Sequence, residues 1–309
     1  MTGAKRTAIV AVQWLLAALV VLYAFIALRG QWDDAAAGLG ELDIAWGWIA
    51  AATIVVLLTY LLLIETWRRI LVAWSAELPF AAASRIWFVS NLGKYIPGKI
   101  WSIAAMSAMA RQNAVSPVAA AGSSILIQVV SVAAGIGVVL ATGAQAVDRP
   151  VIAAIIVALL LAAIGITPFL MPGLIRRVAG LLGRNVIIPP MDSSIVWWAF
   201  ARVVLSWISY GVAFQLFVRG VLGDAAGATT SYIAVYAASY IIGFLALFAP
   251  GGAVVRESAM VAGMLRLGLS GQADALTIAI ASRLWLTVVE LLPGLAYLAI
   301  GRRGNRSTN

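Results

Sequence analysis

The chain has no cysteine and no histidine among its 309 residues. Without thiols there is no disulfide framework and no thiolate chemistry. Without imidazole as well, zinc sites built on His or Cys, Ser-His-Asp catalysis and imidazole proton relays are excluded together. Charge is also scarce: 11% of residues are charged against 63% hydrophobic, and the mean hydropathy is +1.01. No water-soluble domain of this size tolerates that balance, so the composition is that of an integral membrane protein. The apolar-polar alternation of an outer-membrane barrel is missing, which makes the spans helices. Neither GxGxxG nor GxxxxGK(S/T) surrounds the glycine-rich stretches, so they are not nucleotide loops.

What charge there is carries topological information. The net charge of +9 comes from 21 basic and 12 acidic residues, and the basic ones are scattered over loops instead of forming a face. That pattern argues for membrane orientation and against nucleic acid as a partner. Lys5 and Arg6 precede an apolar run over 8–28, too long for a secretion signal and without a small-residue cleavage site; it is expected to be the first span. Further spans are expected over 45–64, 117–141, 151–171, 197–218 and 273–300, with tryptophans such as Trp46, Trp48 and Trp67 at the interfaces. The segment Pro172 to Pro190, with Arg176, Arg177 and Arg184, reads as a cytoplasmic loop against anionic headgroups. In this layout twelve basic residues fall inside and four outside, while Lys94, Lys99, Arg202, Arg256 and Arg283 lie within membrane segments. Both termini are therefore expected in the cytoplasm of a multi-pass protein of the cell membrane.

Two stretches interrupt the apolar runs. The first, Ser90 to Trp101, reads SNLGKYIPGKIW, and the second, Ala249 to Glu257, reads APGGAVVRE. In each a Pro-Gly pair, Pro97-Gly98 or Pro250-Gly251, separates two apolar arms, 80–96 from 97–112 and 229–249 from 251–266. Proline removes a donor and glycine frees the backbone, so each pair should end one helix and begin another. Irregular backbone at membrane depth survives only where protein or a watery cavity covers it, which points to a binding site. The two interruptions are about 150 residues apart, as are the spans on either side. This predicts an all-α membrane domain over 1–309, with six spans plus two Pro-Gly-broken helical hairpins in two inverted repeats, 1–149 and 150–309.

A helix beginning at Pro97 or Gly98 offers free amides and the positive end of its dipole to an anion, with Lys99 in its first turn and Lys94 just before it. Tyr95 and Trp101 can line the path of an acyl or isoprenoid chain. The other reading of both lysines is that they snorkel to the inner interface. Arg256 and Glu257 follow Pro250, Gly251 and Gly252, and Arg283 and Glu290 stand two turns apart on one face of the last span. Ionised groups in a membrane are costly, so pairing among these four is expected, either as a buried ion network or as direct substrate contacts. Arg202 and Glu65 read as anchors near span ends. Asp33 and Asp34 form an adjacent acidic pair in an outer loop, too little for a metal site.

The runs NLGKYIPGKIWS and PGGAVVRE, with the spans around them, resemble the flippase-like membrane domain family that includes the membrane half of lysylphosphatidylglycerol synthases. The second motif departs from that family's pattern at Ala253 and Val254, where Leu-Gly is usual, while Pro250, Gly251, Gly252, Arg256 and Glu257 match. The resemblance covers nearly the whole chain. It implies movement of a charged lipid between leaflets, with relatives linked to polyprenyl-phosphate sugar pathways. No aminoacyl-transferase domain is attached, so translocation is expected rather than synthesis. The expectation is a non-enzymatic translocase of an anionic-headgroup lipid, with membrane lipids as partners and no cofactor or metal. An integral membrane transferase and a non-transporting partner of a lipid-modifying enzyme are the other two readings, and self-association is left open.

Overall fold

A computed structural model describes residues 44–74, 77–95, 100–143, 150–181, 192–246 and 254–306. Among them the chain is helical, without strands. The helices are α1 (Trp46–Ala73), α2 (Phe80–Asn91), a 3-10 turn (Leu92–Tyr95), α3 (Ile100–Arg111), α4 (Pro117–Thr142), α5 (Pro150–Leu181), α6 (Ser193–Leu222), α7 (Thr229–Leu245), α8 (Val255–Arg266) and α9 (Gln272–Arg306). Five are long and apolar enough to cross a bilayer: α1, α4, the stretch Val151–Leu174 of α5, α6, and the stretch Gln272–Tyr297 of α9. The expected first span over 8–28 lies outside the described residues.

The spans run longer than the apolar stretches suggest. α1 has 28 residues, roughly 42 Å at the helical rise, which exceeds a hydrocarbon core of about 30 Å by some turns. It continues past residue 64 because Glu65 satisfies Arg68 and Arg69 one turn away at 2.7 and 2.9 Å. The expected loop from Pro172 is corrected in the same way: α5 runs through Pro168 and Pro172 to Leu181, carrying Arg176 and Arg177 on exposed turns. Two prolines delete two donors, whereas ending the helix there would strip four carbonyls of their partners in a nonpolar setting. Arg184 lies outside the described residues. α6 begins at Ser193, four residues before the expected 197, because the Asp192 carboxylate accepts from the Ser194 amide at 2.9 Å and caps it.

α1 and α6 pack along their length as an antiparallel pair, with the Ala45 amide donating to the Gly220 carbonyl at one end (2.9 Å) and Arg202 Nε to Thr66 Oγ1 at the other (3.0 Å). α2 packs on α9 and α4 packs on α7, each broken pair returns on itself (α2 on α3, α7 on α8), and α5 flanks α4 and α6. Buried and half-buried indoles pin the helices to one another. Trp67 Nε1 donates to Ser123 Oγ, Trp207 Nε1 to the Ser131 carbonyl and Trp285 Nε1 to Thr53 Oγ1, each at 2.9 Å. With little hydrophobic gain between helices in lipid, such bonds and close packing hold the bundle. Gly211 marks the tightest approach: a Cβ there would sit 2.4 Å from Ile233 Cα, so only glycine lets α6 and α7 meet. Val151, Leu159 and Phe169 of α5 point outward, as lipid-facing residues do.

Candidate anion site between the broken helices

α8 opens abruptly. Val254 before it has φ of +69°, a backbone conformation that a β-branched side chain rarely adopts. The turn places Arg256 against the end of α7, where a Cβ on Gly243 would lie 2.7 Å from Arg256 Cβ. The Arg256 side chain is only 8% exposed, its guanidinium carbon 5.8 Å from the centre of the Tyr236 ring. Nη1 lies 3.8 Å from Glu257 Oε1, beyond hydrogen-bond range. Among the described residues Nε and Nη2 are buried with no hydrogen-bond partner.

Glu257, equally buried, is held by a different cation. Arg283 Nη1 of α9 donates to its Oε1 at 2.8 Å, while Oε2 is buried without a hydrogen bond. Two turns further along α9, Glu290 Oε1 accepts from Tyr60 Oη of α1 at 2.7 Å. Tyr60 meets Tyr210 edge-on at 6.1 Å, Tyr210 stacks on Tyr236 at 5.7 Å, and Tyr236 stacks on Tyr240 at 6.2 Å. Three rings from α1, α6 and α7 thus connect the Glu290 end of the site to the Arg256 end. Phe88 adds an edge contact to Tyr60 at 5.7 Å and stacks on Tyr297 at 6.2 Å.

α9 brings the two interruptions together. The second meets it at Arg283 through Glu257. The first meets it at Gly294, one turn past Glu290, where a Cβ would come within 3.0 Å of Leu92 Cδ2 in the 3-10 turn. That turn is itself folded tightly onto α3, since a Cβ on Gly93 would reach the Ser102 amide at 2.9 Å.

Of the residues expected from sequence, Arg283 and Glu257 are brought together as an ion pair between α9 and α8, Arg256 stands beside Glu257 against α7, and Glu290 lies two turns along α9 against Tyr60 of α1. Trp101 stands half-buried at the start of α3. Lys94 and Tyr95 lie in the 3-10 turn, with side chains outside the described residues, as are Pro97, Gly98 and Lys99 and Pro250, Gly251 and Gly252. Arg202 and Glu65, read as anchors, sit at the far end of α1 and α6. The tyrosines were not anticipated. Tyr232, Tyr236 and Tyr240 recur at a spacing of four, which sets them on one face of a helix, but no local signal pairs them with Tyr60 and Tyr210. Among the described residues no three acidic side chains gather as metal ligands. The chain matches no protein-family model and no curated protein.

Proposed function

We propose that this protein moves an anionic-headgroup lipid, a phospholipid or a polyprenyl-phosphate-linked one, between leaflets, and that the headgroup is held at Arg256. The observation that carries this reading is the empty edge of the Arg256 guanidinium. A buried donor without an acceptor costs about 1–3 kcal/mol, and Arg256 keeps two of them. Glu257 does not neutralise it, being engaged by Arg283. Nε and Nη2 form the fork that takes two oxygens of one phosphate. Tyr60, Tyr210 and Tyr236 set a series of hydroxyl-bearing rings between Arg256 and Glu290.

We read the two halves as inverted repeats, an arrangement suited to alternating access to that site. Exchanging α1 with α6, α2 with α7, α3 with α8 and α4 with α9 carries part of the packing into itself, since α2 on α9 becomes α7 on α4 and α3 on α4 becomes α8 on α9, whereas the close packing of α4 on α6 has no counterpart of like extent between α9 and α1. Side chains follow the same exchange. Arg69 lies over Trp198 at 5.0 Å and Arg219 over Trp48 at 5.1 Å, and both the two tryptophans and the two arginines stand 150 positions apart. With the run over 8–28 as the partner of α5, this gives six spans and two broken pairs, the layout of the flippase-like family that the motifs resemble. A transferase would need a free carboxylate near the headgroup, and Glu257 and Glu290 are held by Arg283 and Tyr60.

The test is reconstitution of the full chain into liposomes with fluorescent phosphatidylglycerol, following its transfer between leaflets by quenching from outside. Arg256→Met should abolish transfer, and Arg256→Lys, which keeps charge but not the fork, should restore only part of it. Unchanged transfer in Arg256→Met would overturn the assignment.

A further inference from the structure

A second cationic cluster lies where α1 and α6 meet, at the end of α1 carrying Glu65, Arg68 and Arg69. Glu65 is saturated: Oε2 accepts from Arg68 Nε at 2.7 Å, and Oε1 from Arg68 Nη2 and Arg69 Nε at 2.9 Å each. Arg202 joins from α6 with only neutral partners, Thr66 Oγ1 at 3.0 Å and the Leu62 carbonyl at 3.4 Å. The Trp198 ring carries both Arg69 at 5.0 Å and Arg202 at 4.4 Å. Three guanidinium groups thus face one carboxylate, and among the described residues no second carboxylate pairs with them. The cluster keeps a surplus of two positive charges, and the Arg69 side chain is 58% exposed.

Exposed aliphatic surface continues from the cluster toward the middle of the membrane. Leu61 and Leu58 precede Glu65 by four and seven residues, hence on its face of α1, and Leu205 follows Arg202 by three on α6; all three are exposed. Surplus cations and an indole above an aliphatic seam match a lipid with an acidic headgroup, whereas a soluble anion would have no use for the seam. We propose that this seam binds one anionic phospholipid, its phosphate on Arg69 and Arg202 beside Trp198 and its acyl chains along Leu58, Leu61 and Leu205.

Native mass spectrometry of the full chain, titrated with phosphatidylglycerol or phosphatidylcholine, tests it. Phosphatidylglycerol should bind at least about tenfold more tightly. Arg69→Gln should weaken it about fivefold, the equivalent of ~1 kcal/mol for one basic residue near an acidic headgroup. Glu65→Gln, which releases two arginines from their counter-ion, should strengthen it by a similar factor, a response in the opposite direction that a merely structural cluster would not give. Both changes should persist in an Arg256→Met background, which separates the seam from the translocation site. Equal binding of the two lipids, variants that shift affinity in the same direction, loss of the preference in the Arg256→Met background, or displacement by inorganic phosphate alone would each overturn the proposal.

Discussion

Arg256→Met separates a binding residue from a structural one, because the two roles predict opposite signs. In the folded protein Arg256 leaves Nε and Nη2 buried and unbonded, a penalty of about 1–3 kcal/mol for each unsatisfied donor. What it gains there is the Tyr236 ring at 5.8 Å, about 0.5–2 kcal/mol for a cation over an aromatic face. Its contact with Glu257 is 3.8 Å long, and Arg283 remains to compensate that carboxylate at 2.8 Å. Methionine fills much the same volume with no polar group. Stability should therefore hold within about 1 kcal/mol or rise. Binding should do the reverse: two charge-assisted hydrogen bonds at about 1.5 kcal/mol each amount to about 3 kcal/mol, or roughly a hundredfold in affinity. Denaturant titration in mixed micelles measures the first quantity, and the affinity of the phosphatidylglycerol equivalent bound beyond the one at the α1–α6 seam, resolved by native mass spectrometry of the purified chain, the second. A variant that loses more than about 2 kcal/mol of stability, yet binds as the parent does, would show that the empty edge is not a ligand site.

Arg283→Gln should behave in the opposite way. It removes the one hydrogen bond of a buried carboxylate, and since Arg283 keeps a quarter of its side chain exposed, the loss should be about 3 kcal/mol, the low end for breaking a buried pair, in the same denaturant titration. Tyr60→Phe takes from Glu290 a donor at 2.7 Å and should cost about 1.5–3 kcal/mol while keeping the ring contacts to Phe88 and Tyr210; unchanged stability would mean the bond has no energetic weight. The absence of cysteine gives a clean background for topology. Gln112→Cys in the α3–α4 turn and Asp224→Cys after α6 are both exposed positions, and a membrane-impermeant maleimide applied to intact cells should label the second alone. Labelling of Gln112→Cys instead would invert the orientation.

Helicity, multi-pass membrane character and the approximate place of the five long apolar helices were legible in the sequence, because in lipid a backbone must satisfy itself within a helix and apolar length reports crossing directly. Boundaries were less so. α1 runs on past Glu65, which bonds forward to Arg68 and Arg69, and α5 persists through Pro172 to Leu181, where hydropathy and turn chemistry read a loop. The four charged residues of the candidate site could be picked out because ionised groups in hydrocarbon are rare enough to stand out singly. Which of them carry each other could not. Arg256 and Glu257 are neighbours in sequence, yet Glu257 is bonded to Arg283 and Arg256 is left with a bare edge, a result of how α8 leaves Val254 and how α9 crosses it. The tyrosine series from Tyr60 to Tyr236, and the Arg69, Arg202 and Trp198 cluster, join residues more than a hundred positions apart. Local composition fixes what a segment must be in a membrane; only the packing of α1, α6, α7 and α9 decides which side chains share a site, since that depends on distances no spacing along the chain encodes.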